Sequence, residues 1–449
     1  MKKILILIFT CLLSSQGLIF SQQKVWSLED CIKYAIENNI QIKQQYVQTE
    51  VQKNSLDLAK LQLLPTLNGQ ASHTYSFGRA LDMNTYQFYN QTLQSDNLYL
   101  GGSAPVFNGL QNYNSIQKNK NLMLASKQDL QNISDNVALN VALQYLQVLL
   151  NKELVAVDEN QLNISLQQIE KTKKMVDAGS VAKGNLLEIQ AQAAQEELSL
   201  ITMKNQLETS ILTLTQLLEL KTPAGFEVEV PEITVDPNAV VTGNIDEIYA
   251  IAEKNRPEIK SSELNLTASK YALKIAKGAR SPKISLNYSI NSGYTFIYNL
   301  PASDPPNVPF KTQINNNMYS SVGLAMNIPI LNGWQVNKNI SNSKLNVETS
   351  QYALEGTQKQ LYKNIQQAYT DAVAALKKYN VSIKAIASTE ESFRYTEQKF
   401  NVGMVTPVDY NAAKTQLLKA QSDMTQAKYE FIFKTKVLDF YKGIPLKLN

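Results

Sequence analysis

Two hydrophobic periods organise this chain. In its long Pro-free stretches apolar residues recur every seven positions: Val141, Val148, Val155, Leu162, Ile169 and Val176, and again Ile365, Ala372, Tyr379, Ile386, Phe393 and Phe400. A sustained seven-residue period predicts long helices that pack seam to seam as coiled coils. The segments that follow carry the matching three-four spacing: Ile189, Ala193, Leu200, Met203 and Leu207, then Ala413, Leu417, Ala420, Met424, Ala427 and Phe431. Elsewhere the period is two, the signature of strands. Ile284, Leu286, Tyr288 and Ile290 alternate with Lys283, Ser285, Asn287, Ser289 and Asn291, and Val322, Leu324, Met326 and Ile328 with Ser321, Gly323, Ala325 and Asn327. Ala71, His73, Tyr75 and Phe77 repeat the pattern more weakly, with Leu98, Leu100, Ala104 and Val106 on a partner strand.

The chain is written twice. Pro65 matches Pro282 at an offset of 217, and Ala35, Asn38 and Ile42 fall on Ala252, Asn255 and Ile259. Pro105-Val106-Phe107-Asn108-Gly109 matches Pro329-Ile330-Leu331-Asn332-Gly333 at an offset of 224, the shift of seven being a longer loop in the second copy. Each copy reads helix, strand, loop, strand, very long helix, tight turn, long helix. The first helix is expected to run from residue 28 to about 63, where Pro65 stops it. A fully helical segment from 109 to 176 would extend roughly 100 Å. The division is therefore 1–21, a signal peptide; 22–220, the first repeat; 221–244, a Pro- and Gly-rich linker with one short strand at 226–230; and 245–449, the second repeat.

The first segment orders a basic Met1-Lys2-Lys3, an apolar run at 4–13 and a more polar end, as a secretory signal does, with cleavage expected after Ser21. A lipid on Cys11 is the lesser alternative, since few residues precede it. No later window reaches the roughly 18 apolar residues of a spanning helix, so any membrane entry is by β-barrel. Strands of about ten residues suit that role when tilted. A half-buried soluble hairpin has the same period. The signal and the Tyr- and Phe-rich loops (Tyr86, Phe88, Tyr89; Tyr294, Phe296, Tyr298) tilt the balance towards a membrane with an aromatic belt. Four strands cannot close a barrel with a pore, so copies must associate; a trimer gives roughly twelve strands.

Composition narrows the chemistry. Lys and Arg number 43 against 39 Asp and Glu, a net +4 that argues against a nucleic-acid binder. With two Cys and one His, a disulfide scaffold, a zinc site and a thiol–imidazole catalyst are excluded. No cofactor is implied and no enzyme is expected. His73, on an apolar strand face without an oriented partner in sequence, reads as packing. Cys31 reads as a small buried hydrophobe on a helix.

Each very long helix ends at a glycine, Gly179 or Gly403, placed for a left-handed cap. Thr406-Pro407-Val408-Asp409 then reads as N-cap, first-turn proline and capping acid, with Asn185 to Glu188 at the same spacing in the first repeat. Asp409 thus has a structural explanation. Its functional alternative is an acidic ring around a trimer axis, favouring cations, in which like charges raise the pKa of some members.

The ordered set of signal, tandem repeat, Pro-stopped helix, paired strands, Asn-Gly after each second strand and the tip Gly403-Met404-Val405-Thr406-Pro407-Val408-Asp409 resembles the TolC-like outer-membrane efflux proteins over the whole mature chain. The resemblance implies an α+β, mainly α fold. It implies a homotrimer with a twelve-stranded barrel in the outer membrane of a Gram-negative bacterium, continued by a periplasmic coiled-coil tunnel. It implies passive export of small molecules or proteins handed over by an inner-membrane transporter and a periplasmic adaptor. It places the gate at Asp409; a second gating acid of some members falls on Ala412, which leaves a two-ring gate in doubt. Adaptor docking is expected at the tips, at Gly179, Ser180, Val181, Gly403, Met404, Val405, Thr406 and Pro407. The competing reading is a secreted coiled-coil structural or adhesive protein.

Overall fold

The computed structural model describes residues 25–81, 86–232, 235–236, 240–300 and 305–447. The signal segment, with Cys11, and part of the linker lie outside them. In chain order the elements are β1 (Val25–Trp26), α1 (Leu28–Asn38), α2 (Ile40–Leu61), β2 (Asn68–Leu81), β3 (Phe88–Phe107), α3 (Gln111–Asp177), α4 (Lys183–Leu217), β4 (Glu227–Val228), α5 (Ile245–Asn255), α6 (Pro257–Gly278), β5 (Lys283–Ile297), α7 (Phe310–Asn316), β6 (Tyr319–Asn327), α8 (Gln335–Asn401) and α9 (Pro407–Lys442). The tandem order is present: α3 and α8 are both 67 residues long and each is followed by a helix of 35 or 36.

The first helix of each repeat is broken where one helix was expected. Asn39 and Arg256, at the 217 offset, both leave helical geometry, with ψ near 130°. Arg256 precedes Pro257, whose ring disfavours the α conformation before it. Asn39 does the same work with its side chain, which accepts the Gln41 N–H at 2.9 Å. Arg256 is held by Glu258 at 3.0 Å and stacks 4.2 Å over the Phe440 ring.

Two compact units emerge, and each draws on both repeats. One comprises Met1–Tyr46, Asp129–Ile259 and Gln358–Asn449. Its core gathers Leu28, Cys31, Ala35, Val141, Tyr145, Val148, Leu149, Leu214 and Leu218. Cys31 is fully buried, as a small hydrophobe would be. The linker strand, shorter than expected, pairs in parallel with β1. The Tyr145 hydroxyl clamps this ribbon, 3.1 Å from the Trp26 carbonyl and 2.7 Å from that of Glu229. The seven-residue seams are buried as their period requires at Val141, Val148 and Val155 and at Ile365, Ala372 and Tyr379. Towards the turns, Leu162, Ile169 and Val176, like Ile386, Phe393 and Phe400, are only half-buried.

The other unit comprises Val47–Gln128 and Lys260–Thr357. Its antiparallel sheet has the order β2-β3-β5-β6, leaving β2 and β6 as edges. The strands run 14, 20, 15 and 9 residues, so three exceed the expected ten. Tyr294 and Phe296 therefore lie inside β5 rather than in a loop, and Phe88 inside β3. The register puts Ala71, Leu98, Leu286 and Leu324 on one face, since Ala71 faces Leu98 and Leu286 faces both Ala104 and Leu324. Ser72, Asn97, Ser289 and Ser321 share the other face. Val322, Leu324 and Met326 are 60–75% exposed, so the apolar face stands uncovered. After β3 and again before α8 the chain turns through two successive left-handed residues, Gly109-Leu110 and Gly333-Trp334. A Cβ on Gly109 would overlap the Gly278 carbonyl oxygen and lie 2.7 Å from Ser281 Cβ, so this crossing requires glycine.

Candidate functional site

The two helical turns lie in one unit and line a common cleft of about 610 Å³. At each, glycine closes a Schellman cap. Gly179 (φ 70°) donates to the Val176 carbonyl and Ser180 to that of Met175; Gly403 (φ 77°) donates to Phe400 and Met404 to Lys399, all at 2.8–3.0 Å. Lys171 Nζ reaches Asn401 Oδ1 at 2.7 Å and ties one turn to the other.

The second turn carries the capping box. Thr406 Oγ1 accepts the Asp409 N–H at 3.2 Å, Thr406 N–H donates to Asp409 Oδ2 at 3.2 Å, and the Thr406 hydroxyl donates to the same oxygen at 2.7 Å. Asp409 is exposed. The Thr406 hydroxyl and then its backbone N–H hold the carboxyl below its ordinary value. The first turn lacks this device: α4 starts at Lys183 with Ala182 as a cap that offers no side-chain bond. Asn185 and Glu188 sit inside the helix, because it begins before the place their spacing suggested. Around the second turn Pro407 and Tyr410 are buried, and Tyr410 stacks on Phe400 at 4.6 Å. Burial, then the Glu397 and Glu196 charges, pushes the Tyr410 hydroxyl up to about 12. Val402, Met404 and Val408 are 56–72% exposed and give this turn an apolar rim.

A buried charge cluster went unread in the sequence. Lys414, 2% exposed, lies 3.2 Å from Glu196 Oε1 and 3.2 Å from the Gln161 carbonyl, and also donates to Ser165 Oγ. Ser165 donates onward to Glu196. Burial lowers the Lys414 pKa against the opposing pull of Glu196. Nearby, Ser199 donates to Asp158 at 3.1 Å, and burial raises that carboxyl. Part of the signal was there: Glu196 falls in the seam slot between Ala193 and Leu200, whereas Lys414 stands directly after the seam residue Ala413.

His73 is on the apolar face of the sheet, where it pairs with Asp96 across the ladder; Gln94 donates to the same carboxylate at 3.2 Å. Among the described residues no group of three or more His, Cys, Asp or Glu is placed to hold a metal ion, and no helix is long and apolar enough to cross a membrane.

One unit thus holds an antiparallel sheet with an apolar and a polar face, and the other the paired ends of very long helices. The sequence profile described as "Outer membrane efflux protein" matches residues 31–219 and 248–433, one match per repeat, and the chain belongs to that family. It is 22% identical over 438 residues to the outer membrane protein TolC of Escherichia coli, covering 96% of this chain and 84% of that protein. To the outer membrane efflux protein BepC of Brucella suis it is 20% identical over 412 residues, covering 90% and 83%. The solved structure of the outer membrane protein VceC from Vibrio cholerae superposes with a TM-score of 0.77 at 16% identity, over 94% of this chain and 97% of that one. The protein is an outer-membrane efflux or secretion channel of a Gram-negative bacterium. Membership of that family sets aside the reading of a secreted adhesive coiled coil.

Proposed function

We propose that three copies join around one axis as a passive exit duct, their sheets forming a twelve-stranded barrel and their helical hairpins a periplasmic tunnel. The observation that carries this is the sheet: one apolar face, one face of Ser, Asn and Gly, and two unpaired edges. Unpaired backbone in hydrocarbon costs several kcal/mol per group, so both edges must find strands. Two copies would supply about eight strands, whose interior side chains fill; three is the smallest number that leaves a water path. The half-buried parts of the helical seams, with exposed Leu198, Ile201, Val381 and Tyr395, offer apolar surface to a neighbouring copy.

In this reading Asp409 supplies one carboxylate per copy to a ring at the periplasmic end, kept ionised by its Thr406 cap. The ring narrows the passage and favours cations. The tips at Gly179, Ser180 and Val181 and at Gly403, Met404, Val405, Thr406 and Pro407 receive a periplasmic adaptor, whose apolar contacts would cover Val402, Met404 and Val408. An inner-membrane transporter supplies the energy, and the chain itself catalyses nothing. Its cargo is small molecules or proteins. The test is Asp409→Asn in planar bilayers: cation preference should fall, and an unchanged preference rejects the ring.

A further inference from the structure

We propose that Lys414, Glu196 and Ser165 form a register pin: a single buried polar layer that fixes the axial position of α9 against α3 and α4. The pin thereby sets the height of Asp409, and in this second part it rests on the reading of Asp409 given above. Three helices meet in the layer. Lys414 of α9 lies 3.2 and 3.3 Å from the two carboxylate oxygens of Glu196 on α4, and Ser165 of α3 bridges both. All three side chains are at least 95% buried.

Stability alone does not account for this layer. Taking a charge pair out of water removes most of what its attraction returns, and apolar side chains of similar size commonly do as well. Position does account for it. The seam of α9 repeats small and apolar residues at three-four spacing, as does that of α4, with Ile189, Ala193 and Leu200. Such seams match nearly as well after a slip of one turn or one heptad, roughly 5 or 10 Å. Only a buried polar residue in or beside the repeat distinguishes the registers, as one polar core residue does in a coiled coil. Any slip carries Lys414 away from Glu196 and leaves both charges buried and unmatched. Asp409 precedes Lys414 by five residues, about 7.5 Å along the helix. Between them lies only one further deeply buried side chain, Tyr410, stacked on Phe400.

The experiment places spin labels at Ser180→Cys and Val408→Cys, both exposed at the turns, in the full-length protein in lipid, diluted with unlabelled chain. The parent should give one narrow distance. Replacing the pair by Lys414→Met with Glu196→Leu should add a second population displaced by about 5–10 Å. The exchanged pair, Lys414→Glu with Glu196→Lys, should return to one narrow distance. A single unchanged distance in the apolar variant, or a split one in the exchanged variant, overturns the pin. Should the apolar variant fail to fold, Ser165→Ala decides: it keeps both charges and removes the bridge, so the distribution should broaden, and an unchanged width overturns the pin. The labels read register whether or not Asp409 gates. A pin upheld here beside an Asp409→Asn channel of unchanged selectivity would remove the ring and leave the register claim standing.

Discussion

Replacing Gly403 by alanine isolates one quantity, the backbone cost of a left-handed residue. Gly403 has φ 77°, and a Cβ built there meets no atom within 4 Å. Nothing beyond its immediate chain neighbours crowds the site, so the cost is that of an L-residue in left-handed geometry, about 1–2 kcal/mol. That corresponds to roughly a 5- to 30-fold rise in local opening of the turn. The amides that report it are Gly403 and Met404, which close the cap on Phe400 and Lys399. Gly109 is the internal control: its φ is 67°, but its Cβ would strike the Gly278 carbonyl and Ser281. Gly109→Ala should therefore lower the stability of the whole sheet unit well beyond the Gly403→Ala effect. The assay is amide hydrogen exchange resolved to the turn, combined with denaturant unfolding. Faster exchange confined to the turn is expected for Gly403→Ala, and a β-branched residue there should also impair export. Unchanged exchange, or a global loss equal to that of Gly109→Ala, would refute the reasoning.

The sidedness of the sheet predicts a contrast between neighbours on β6. Leu324→Arg, on the apolar face, should cost about 2–4 kcal/mol if it lies at the bilayer midplane, whereas Ser321→Arg should change conductance with little loss of stability. Unfolding in lipid measures both, and a larger loss at Ser321 would reverse the faces. Asp409 predicts a pH dependence. Its cap lowers the carboxyl below the usual 3.8, so the capping contribution is present above the unfolded value and is lost as pH falls through the lower folded value. Cation preference, read as reversal potential, should persist through pH 4 and vanish only below it; Thr406→Ala should move that transition upward. A transition above the usual value in the parent channel would mean that repulsion within the ring outweighs the cap.

What could be read from the chain was whatever repeats. The 217 and 224 offsets, the seven-residue seams and the alternation of β5 and β6 are local patterns with a fixed period, and the structure follows them. The Thr406–Asp409 cap was equally legible, because its partners are three residues apart. Features that depend on partners distant in sequence were hidden. The break at Asn39 relies on a side chain rather than a proline, although the Pro257 that breaks the second copy was in view. The helix α7 lies in the longer second loop, where no period marks it. Lys414 finds Glu196 across 218 residues of chain. The only sequence sign was the charge of Glu196 in a seam slot, and a solvated helix face accounts for most such charges. The extra length of the strands was invisible because Tyr294 and Phe296 carry the alternation on into what composition suggested was a loop.

Copy number and conduction, measured on the same sample, test the central claim most directly. Purified protein reconstituted in lipid should contain three chains per particle by native mass spectrometry and should carry a steady ionic current across a planar bilayer. Particles of a single chain that pass no current would contradict the account, because four strands with two open edges would then be stable in lipid unaided.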